Sequence, residues 1–388
     1  MTDLICISHL RWDFVWQRPQ HLLSRLGDHY RIFFVEEPIT IDANRSFELE
    51  VRQEPNNVTV IRLLVPSEHP RWIGHGDPKT AQQYEVLLKA YLADVKSHKR
   101  LFWLYTPMGN HFTKALSHYG MIYDVMDELS AFKGAPPDLR FLDQTVADKA
   151  DMLFTGGLSL YEKRHLVHPK KTFLFPSGVD IAHFARARHR ENIICPDDMP
   201  DPANGLVMGY YGVIDERMDL TLISDVAARH PEWQFVMIGP VLKIGHHELP
   251  QAPNLHYLGK KSYEELPAYL AYFDVALIPF ALNEATKFLS PTKTLEYMAA
   301  HKPIVSTPIR DVAALYGQAV HIADTADAFV AAIQTALDEP IRLRGDIRRK
   351  LLEEHTWESI TTHMLYKIKA HFYRSLTPIM EAAHETAI

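Results

Sequence analysis

The sequence predicts an α/β protein in which two parallel sheets face each other across a cleft. The chain of 388 residues is too long for one average hydrophobic core, so two domains are expected. Short apolar runs rich in β-branched or aromatic residues alternate with helical patterns, which is typical of parallel sheets. From about 185 to 205 the chain is charged, rich in proline and without periodicity, which indicates a domain boundary.

The first series of apolar runs predicts an N-terminal domain that spans 1–190. Segments such as "RPQHLLSRLG" and "AQQYEVLLKAYLADVKS" supply the helices between its strands. We also predict that a C-terminal helix at about 365–388 packs back on this domain. The predicted strands are 4–8, 30–36, 58–64, 100–105, 121–126, 152–155 and 172–176.

The second series predicts a C-terminal domain that spans 200–364. Ligands of open parallel sheets bind outside the carboxyl ends of the strands, so the cleft between two such sheets is the expected site. The predicted strands are 205–212, 233–239, 254–259, 275–280, 303–307 and 319–323.

Composition excludes several classes of protein. The net charge of -7 argues against a general nucleic-acid binder. Cys6 and Cys195 have no disulfide-like or zinc-like spacing, and the N-terminal apolar run is too short for a signal peptide or a membrane span. These features predict a cytoplasmic protein. The basic runs at 185–190 and 342–350 are either solvated faces or a peripheral contact with an anionic membrane surface.

Several familiar motifs are missing from the sequence. The first strand is not followed by a glycine-rich dinucleotide turn, and neither a Walker A loop nor a GxSxG elbow occurs. The 22 histidines include no set at metal-ligand spacing, so we expect neither a metal nor another cofactor. The remaining hypothesis is a phosphate-bearing ligand that binds without a dedicated glycine loop.

The segment "FLSPTKTLEYMAAHKPIVSTP" predicts a helix whose N-terminus binds an anion. Ser290 is a suitable N-cap, and the proline after it suits the first helical position. Thr292 and Lys293 would add a hydroxyl and a charge to free N–H groups that attract a phosphate. Glu296 lies about 4.5 Å further along the helix axis, where it could bind the hydroxyls of a ribose. The alternative is an ordinary capped helix with a surface Lys–Glu pair.

Other candidate donor-binding residues follow strands of the second series. Arg217 lies just before a helix and could bind two phosphate oxygens. Gly212, Gly239 and Gly259 end strands, where the absence of a side chain would let a nucleobase approach the backbone. Alternatively, Arg217 is a solvated residue at a helix start, and the glycines only form turns.

The N-terminal half offers a candidate base. Asp127 falls at the carboxyl end of a predicted strand and could take a proton from an attacking hydroxyl in the cleft. Side-chain alternation places Asp124 on the opposite face, so the two aspartates are expected to have different roles. The alternative is that one of them caps the next helix.

The loop after the first strand, "SHLRWDFVWQRPQH", offers candidate acceptor-binding residues. His9, Trp12, Trp16 and Arg18 combine aromatic faces with polar groups, which suits a sugar. Equally, these side chains could anchor the loop by packing.

The region from about 205 to 325 resembles the nucleotide-sugar domain of GT-B glycosyltransferases. The resemblance is to the bacterial family 4 or group 1 type, which includes enzymes of capsule, teichuronic acid and exopolysaccharide biosynthesis. It rests on "GYYGVIDERMDL", "WQFVMIGP", "NLHYLGKKSYEELPAYLAYFDVALIPF" and "SPTKTLEYMAAHKPIVST", and more loosely on "YDVMDELSAF" and "FPSGVDIAHF" in the first half. It implies two Rossmann-like domains, with Lys293 and Arg217 on the donor diphosphate and Glu296 on the ribose.

Two departures from the family pattern affect the predicted site. Many members carry a second glutamate where this chain has Phe288, and the nearest acid here is Glu284. Members also tend to have glycine where His301 ends the helix, and histidine tolerates the left-handed conformation with some strain.

The inverting glucuronosyltransferase of xanthan assembly is similar in using an aspartate that matches Asp127 as its base. Others in the family retain configuration without one, so the stereochemistry is open, with a slight preference for inversion.

The predicted function is metal-independent hexosyl transfer from a nucleoside diphosphate sugar to a hydroxyl of a lipid-linked or polysaccharide acceptor. The first alternative is a nucleotide-sugar epimerase or hydrolase on the same fold. The second is a non-catalytic partner that binds a sugar nucleotide, and the missing acid at Phe288 keeps that alternative open.

Overall fold

Two parallel sheets organise the chain, which confirms the predicted α/β architecture. The computed structural model describes residues 1–66, 78–95 and 99–372. Within these ranges every predicted strand has a counterpart, because runs of β-branched and aromatic residues form buried strands in both sheets.

The N-terminal sheet has the strand order β3-β5-β2-β1-β6-β7-β8-β9, and neighbours in this order are parallel. In the centre of the sheet Ile5 pairs with Phe33 on one side and with Phe102 on the other. The strands are Thr2–Ile7 (β1), Tyr30–Val35 (β2), Ile39–Ile41 (β3), Glu48–Glu54 (β4), Val58–Pro66 (β5), Arg100–Leu104 (β6), Gly120–Val125 (β7), Met152–Thr155 (β8) and Thr172–Leu174 (β9).

The sequence analysis did not predict β3 and β4. β4 is antiparallel to β5 and carries the sequence "ELEVRQE", whose side chains are mostly exposed. An edge strand with charged side chains lacks the apolar run that predicts a buried strand. β3 has only three residues and pairs with β5 near its end.

Helices cover both faces of the N-terminal sheet. At the start of α1 the backbone N–H of Gln17 donates to Oε1 of Gln20 at 3.2 Å, and a proline lies in the first turn. The helices are Arg18–Leu26 (α1), Pro78–Ala93 (α2), Asn110–Ala115 (α3), Leu139–Lys149 (α4), Leu158–Val167 (α5) and Ile181–Ala185 (α6).

The C-terminal sheet is parallel, with the strand order β12-β11-β10-β13-β14-β15. Asp219 and Thr325 cap the helices that follow them, as short polar side chains commonly do. The strands are Val207–Tyr211 (β10), Gln234–Ile238 (β11), Leu255–Gly259 (β12), Val275–Ile278 (β13), Ile304–Ser306 (β14) and His321–Ile322 (β15). The helices are Leu220–Arg229 (α7), Leu266–Ala271 (α8), Lys293–Ala299 (α9), Arg310–Tyr316 (α10), Ala326–Asp338 (α11), Gly345–Glu354 (α12) and Trp357–Phe372 (α13).

α13 lies on the N-terminal domain although it follows the C-terminal sheet. Its buried face includes Trp357, Ile360 and Ile368, which join the core that contains Leu22 and Trp103. The ring of Trp357 also stacks on His21 of α1, with centroids 4.6 Å apart. The remainder of the helix predicted at about 365–388 lies outside the described residues.

The two domains touch at α5 and α10. Asp311 of α10 is fully buried and accepts hydrogen bonds from the backbone N–H of Ser159, at 3.0 Å, and from its hydroxyl. Asp311 therefore caps α5, which has no cap from its own preceding residue. Nearby, the ammonium of Lys163 lies 5.0 Å from the ring centroid of Phe288, which also packs against the N-terminal core.

The two basic runs are partly used inside the fold. Arg188 donates to the carbonyl of Ala299 at 2.7 Å. Arg348 is buried and donates to the carbonyls of Ala319 and Lys302. These contacts give the arginines a structural role at helix and strand ends.

Candidate functional site

A cavity of about 230 Å³ lies between the carboxyl ends of the two sheets. Gly212, Arg217, Lys293 and Glu296 line it from the C-terminal domain, and Asp127 lines it from the N-terminal domain. The structure thus brings the main predicted site residues into one cavity. Other predicted residues on its wall are Trp16, Arg18, Gly239, Ser290 and Thr292.

The helix that carries Lys293 and Glu296 begins later than predicted. α9 has seven residues and starts at Lys293, and Thr292 is its N-cap, with helical backbone angles and no side-chain cap hydrogen bond. The prediction that Ser290 caps this helix is therefore wrong. Ser290 instead interacts with the carboxyl group of Asp311 at the domain contact. The positive charge of the cavity comes from side chains and not from a long capped helix.

Lys293 points its ammonium into the cavity beside Gly212. A Cβ added at Gly212 would lie 3.1 Å from Nζ and 2.9 Å from Cε of Lys293, so a side chain there would displace the ammonium. The rings of Tyr210 and Phe280 lie 5.5 and 5.4 Å from Nζ. Burial lowers the pKa of Lys293 from 10.5 to about 8. An anion beside this ammonium would favour its charged form.

Glu296 is the acidic partner on the same helix. Burial raises the pKa of Glu296, while the Tyr211 hydroxyl and the Lys293 ammonium oppose the increase. The Lys–Glu pair is thus enclosed in the cavity. The alternative of a surface Lys–Glu pair is excluded.

Arg217 is held in place by a buried aspartate. Asp215, which is 1% exposed, accepts from Nε of Arg217 at 2.9 Å and from Nη2 at 2.8 Å, and it also accepts from the Arg217 backbone N–H. This bidentate contact fixes the guanidinium at the cavity wall and leaves its remaining N–H groups free for a ligand. Sequence reasoning missed Asp215, although it is two residues from Arg217.

The three strand-end glycines have different surroundings. All have positive φ, at 143° for Gly212, 145° for Gly239 and 68° for Gly259. A Cβ at Gly239 would lie 1.8 Å from the carbonyl oxygen of Gly212, so close backbone packing requires this glycine. Gly259 faces open space and is not part of the cavity lining. Only Gly212 and Gly239 therefore shape the cavity directly.

Asp127 lies where the first cavity meets a second one of about 740 Å³. The two cavities share Val15, Gln17, Asp127, Val213 and Arg217. Burial raises the pKa of Asp127, and Arg217 and Lys243 oppose the increase. Asp124 lies within β7, where it is fully buried and pairs with Arg18, whereas Asp127 lies beyond the end of this strand. The two aspartates thus have different surroundings, as predicted.

The predicted acceptor loop divides into wall residues and packing residues. His9 lines the second cavity, and burial lowers its pKa from 6.5 to about 4, so the imidazole is neutral near pH 7. Trp16 lines the first cavity and is 40% exposed.

Two residues of this loop have structural roles in place of the predicted acceptor role. Trp12 is buried against Phe34, with ring centroids 5.1 Å apart. Arg18 is 1% exposed and donates to Asp124 at 2.9 Å and to the carbonyl of Phe175 at 2.8 Å. The alternative that these side chains anchor the loop by packing therefore describes Trp12 and Arg18, although the partners of Arg18 could not be identified from the sequence because they are more than 100 residues away in the chain.

Phe132 joins the two domains across the second cavity. Its ring centroid lies 5.3 Å from Cζ of Arg217 and 3.9 Å from Nζ of Lys243, both in the C-terminal domain. Lys243 has a left-handed backbone, with φ of 62°. Neither Phe132 nor Lys243 was predicted as a site residue, although Phe132 ends the segment "YDVMDELSAF"; Lys243 lies in a loop without periodicity or a motif.

The departures from the family pattern are visible in the structure. Phe288 contacts Lys163 at the domain seam, and Glu284 is exposed and absent from the cavity lining. His301 has φ of 59°, which confirms the left-handed conformation expected at the end of this helix.

In residues 1–66, 78–95 and 99–372, no group of three His, Cys, Asp or Glu side chains is arranged to hold a metal ion. No helix in the same part of the chain is long and apolar enough to cross a membrane.

Comparison with known proteins finds similarity to glycosyltransferases in the C-terminal domain. Residues 216–339 match the family described as glycosyl transferases group 1. Over 170 residues the chain is 26% identical to TuaH of Bacillus subtilis (strain 168), whose name describes a glycosyltransferase of teichuronic acid biosynthesis. This match covers 40% of the chain and 41% of TuaH, so it spans less than half of either protein.

Solved structures share the fold over nearly the whole chain. Sucrose-phosphate synthase of Thermosynechococcus elongatus has a TM-score of 0.72 at 16% identity, covering 96% of this chain and 100% of that protein. The E. coli trehalose-6-phosphate protein bound with UDP-2-fluoro glucose has a TM-score of 0.66 at 14% identity, covering 95% and 99%. Anabaena HepE, in complex with UDP and glucose, has a TM-score of 0.66 at 12% identity, covering 95% and 100%.

The predicted GT-B fold is thereby confirmed, since two Rossmann-like domains face each other with the cavity between them. More particularly, residues 216–339 of the C-terminal domain match the group 1 glycosyltransferase family, which the motifs of this region resemble.

Proposed function

We propose that the protein is a glycosyltransferase that moves a hexose from a nucleoside diphosphate sugar to a hydroxyl of a lipid-linked or polysaccharide acceptor. One observation carries the proposal: Arg217, Lys293 and Glu296 meet Asp127 of the other domain in a single cavity. The name of TuaH refers to teichuronic acid biosynthesis, which supports a polysaccharide-type acceptor. The HepE structure contains UDP and glucose, which supports a nucleoside diphosphate sugar as the donor.

In this proposal the C-terminal domain holds the donor. Arg217 and Lys293 neutralise the diphosphate, and Glu296 accepts hydrogen bonds from the ribose. Charge develops on the diphosphate as the glycosidic bond breaks, so fixed cations stabilise the transition state. Two side-chain cations take this role without a divalent metal or another cofactor.

The N-terminal domain supplies the base and holds the acceptor. Asp127 takes the proton of the acceptor hydroxyl, and its raised pKa makes it a stronger base at neutral pH than an exposed aspartate. The second cavity holds the acceptor, because it opens at Asp127 next to the donor cavity. Attack from that side, opposite the leaving diphosphate, inverts the configuration of the sugar. The two cysteines are free, which fits a reducing cytoplasm.

A pair of variants tests this division of roles. We expect Lys293→Ala to weaken binding of a nucleoside diphosphate by at least about tenfold, because it removes a charge-assisted contact. Asp127→Asn should leave that binding unchanged and abolish sugar transfer. Binding is measured by calorimetry with the four common ribonucleoside diphosphates, and transfer by product analysis with their sugar conjugates.

The outcomes also separate the alternatives. An equal loss of binding in both variants would refute the assignment of roles. Sugar release or epimerisation that needs no acceptor would identify a hydrolase or an epimerase. Binding without turnover under every condition would identify a non-catalytic partner.

A further inference from the structure

Two buried tyrosine hydroxyls flank Glu296 in the donor cavity. Tyr211, at the end of β10, is 4% exposed, and Tyr263 lies in the turn before α8. Both side chains line the donor cavity with Glu296, and both hydroxyl oxygens are buried. Among the residues that the structure describes, the Tyr263 hydroxyl has no hydrogen-bond partner, and the Tyr211 hydroxyl interacts with Glu296, whose pKa it lowers, without forming a well-aligned hydrogen bond. A buried hydroxyl left in this state is destabilising, so a ligand that satisfies it is favoured.

The rings of both tyrosines are fixed by packing. Tyr211 lies edge-on to Tyr297, with centroids 5.0 Å apart, and its backbone N–H donates to the Tyr297 hydroxyl at 3.2 Å. Tyr263 stacks on His183, with centroids 4.1 Å apart and an interplanar angle of 10°. Because the rings cannot swing away without breaking these contacts, the hydroxyls are preorganised at the cavity wall.

The chemistry of the three groups complements a vicinal diol. A carboxylate only accepts hydrogen bonds, whereas a tyrosine hydroxyl can both donate and accept. Two neighbouring ligand hydroxyls could donate to Glu296 and satisfy the tyrosines with their remaining lone pairs and protons. Lys293, on the preceding turn of α9, is assigned to the diphosphate, so the ligand group beside Glu296 is the pentose attached to that diphosphate.

We propose that Tyr211 and Tyr263 are specificity-determining residues that, with Glu296, select a ribose over a deoxyribose in the donor nucleotide. This inference rests on the proposed function, since it needs a nucleoside diphosphate in the cavity. The inference adds Tyr211 and Tyr263 to the pentose-binding residue Glu296, and these two residues make nucleotide binding sensitive to the loss of one pentose hydroxyl. A site with buried polar groups rejects a ligand that leaves them unpaired.

The test compares each ribonucleoside diphosphate with its 2′-deoxy and 3′-deoxy counterparts by calorimetry. We expect the unaltered protein to bind the ribonucleotide at least about tenfold more tightly than one or both deoxy analogues. Tyr211→Phe and Tyr263→Phe should each weaken ribonucleotide binding by about threefold to tenfold and leave binding of the discriminated analogue nearly unchanged. Phenylalanine keeps the ring contacts, so both variants are expected to fold.

Tyr269→Phe is the matched control. Tyr269 is also buried, but its hydroxyl donates to Asp198 at 2.7 Å, and it does not line the donor cavity. This variant should bind every nucleotide as the unaltered protein does. Equal binding of ribonucleotide and both deoxy analogues by the unaltered protein overturns the inference and leaves the proposed function standing. Failure of all four ribonucleoside diphosphates to bind overturns both.

Discussion

The pKa of Lys293 makes donor binding depend on pH in a direction that can be stated. Burial lowers this pKa to about 8, so the free protein loses the ammonium charge as the pH rises through 8. A diphosphate binds the charged form, so binding raises the pKa again and takes up a proton. The affinity for the diphosphate is therefore highest well below pH 8 and falls as the pH rises through 8.

The size of the effect follows from the charged fraction. With a pKa of about 8, Lys293 is about 90% charged at pH 7 and about 10% charged at pH 9. Since the apparent dissociation constant is the intrinsic value divided by the competent fraction, UDP should bind about tenfold more weakly at pH 9 than at pH 7. UDP is a suitable probe because it occupies the HepE structure. A nucleoside diphosphate that binds more tightly can replace it.

Calorimetry in buffers of different ionisation enthalpy measures both the dissociation constant and the number of protons taken up on binding. Near pH 8 the binding should take up about half a proton. Lys293→Arg supplies the control, because a guanidinium stays charged over this range and should remove the pH dependence.

Lys302→Met is a second control. The pKa of Lys302 is also lowered to about 8 by burial, but Lys302 donates to the carbonyl of Ala271 and does not line the cavity. This variant should therefore keep the pH dependence. An affinity for UDP that is unchanged between pH 7 and pH 9 would refute the assignment of Lys293 to the diphosphate.

Two further predictions concern stability. Asp311→Ala should lower the free energy of unfolding by about 1 to 2 kcal/mol, because α5 loses its cap across the domain contact. Asp327→Ala, which removes an exposed acid in the first turn of α11, should change it much less, and comparable losses would argue against the cap. His301→Gly should raise the free energy of unfolding by up to about 1 kcal/mol, because glycine adopts the φ of 59° without strain. His301→Ala keeps the Cβ and should show no gain; denaturant titration measures all four variants.

Sequence patterns predicted most of the fold because its strands are buried on both faces. Most predicted strands are dominated by apolar residues, and burial rather than local propensity produces that pattern. β4 lacks the pattern because it is an edge strand, so its charged side chains are solvated. Composition alone could not have distinguished β4 from a loop.

The candidate site was predictable to the extent that its residues lie near one another in the chain. Lys293 and Glu296 are one helical turn apart, and Arg217 follows a strand-end glycine. Short sequence motifs were therefore sufficient to predict these three residues. The packing role of Arg18 depends on Asp124, which is far away in the sequence. The start of α9 was mispredicted for a similar reason, because Ser290 interacts with Asp311 and does not cap the helix. Long-range partners of this kind leave no local pattern.

The return of α13 to the N-terminal domain limits how the protein can be divided. A fragment that ends at residue 190 would contain Leu22 and Trp103 but would lack Trp357 and Ile360, which cover them. The apolar surface that α13 normally covers would be exposed, which would favour aggregation of the isolated fragment. Exchange of acceptor domains between related enzymes would therefore have to transfer the last helix together with the first half of the chain.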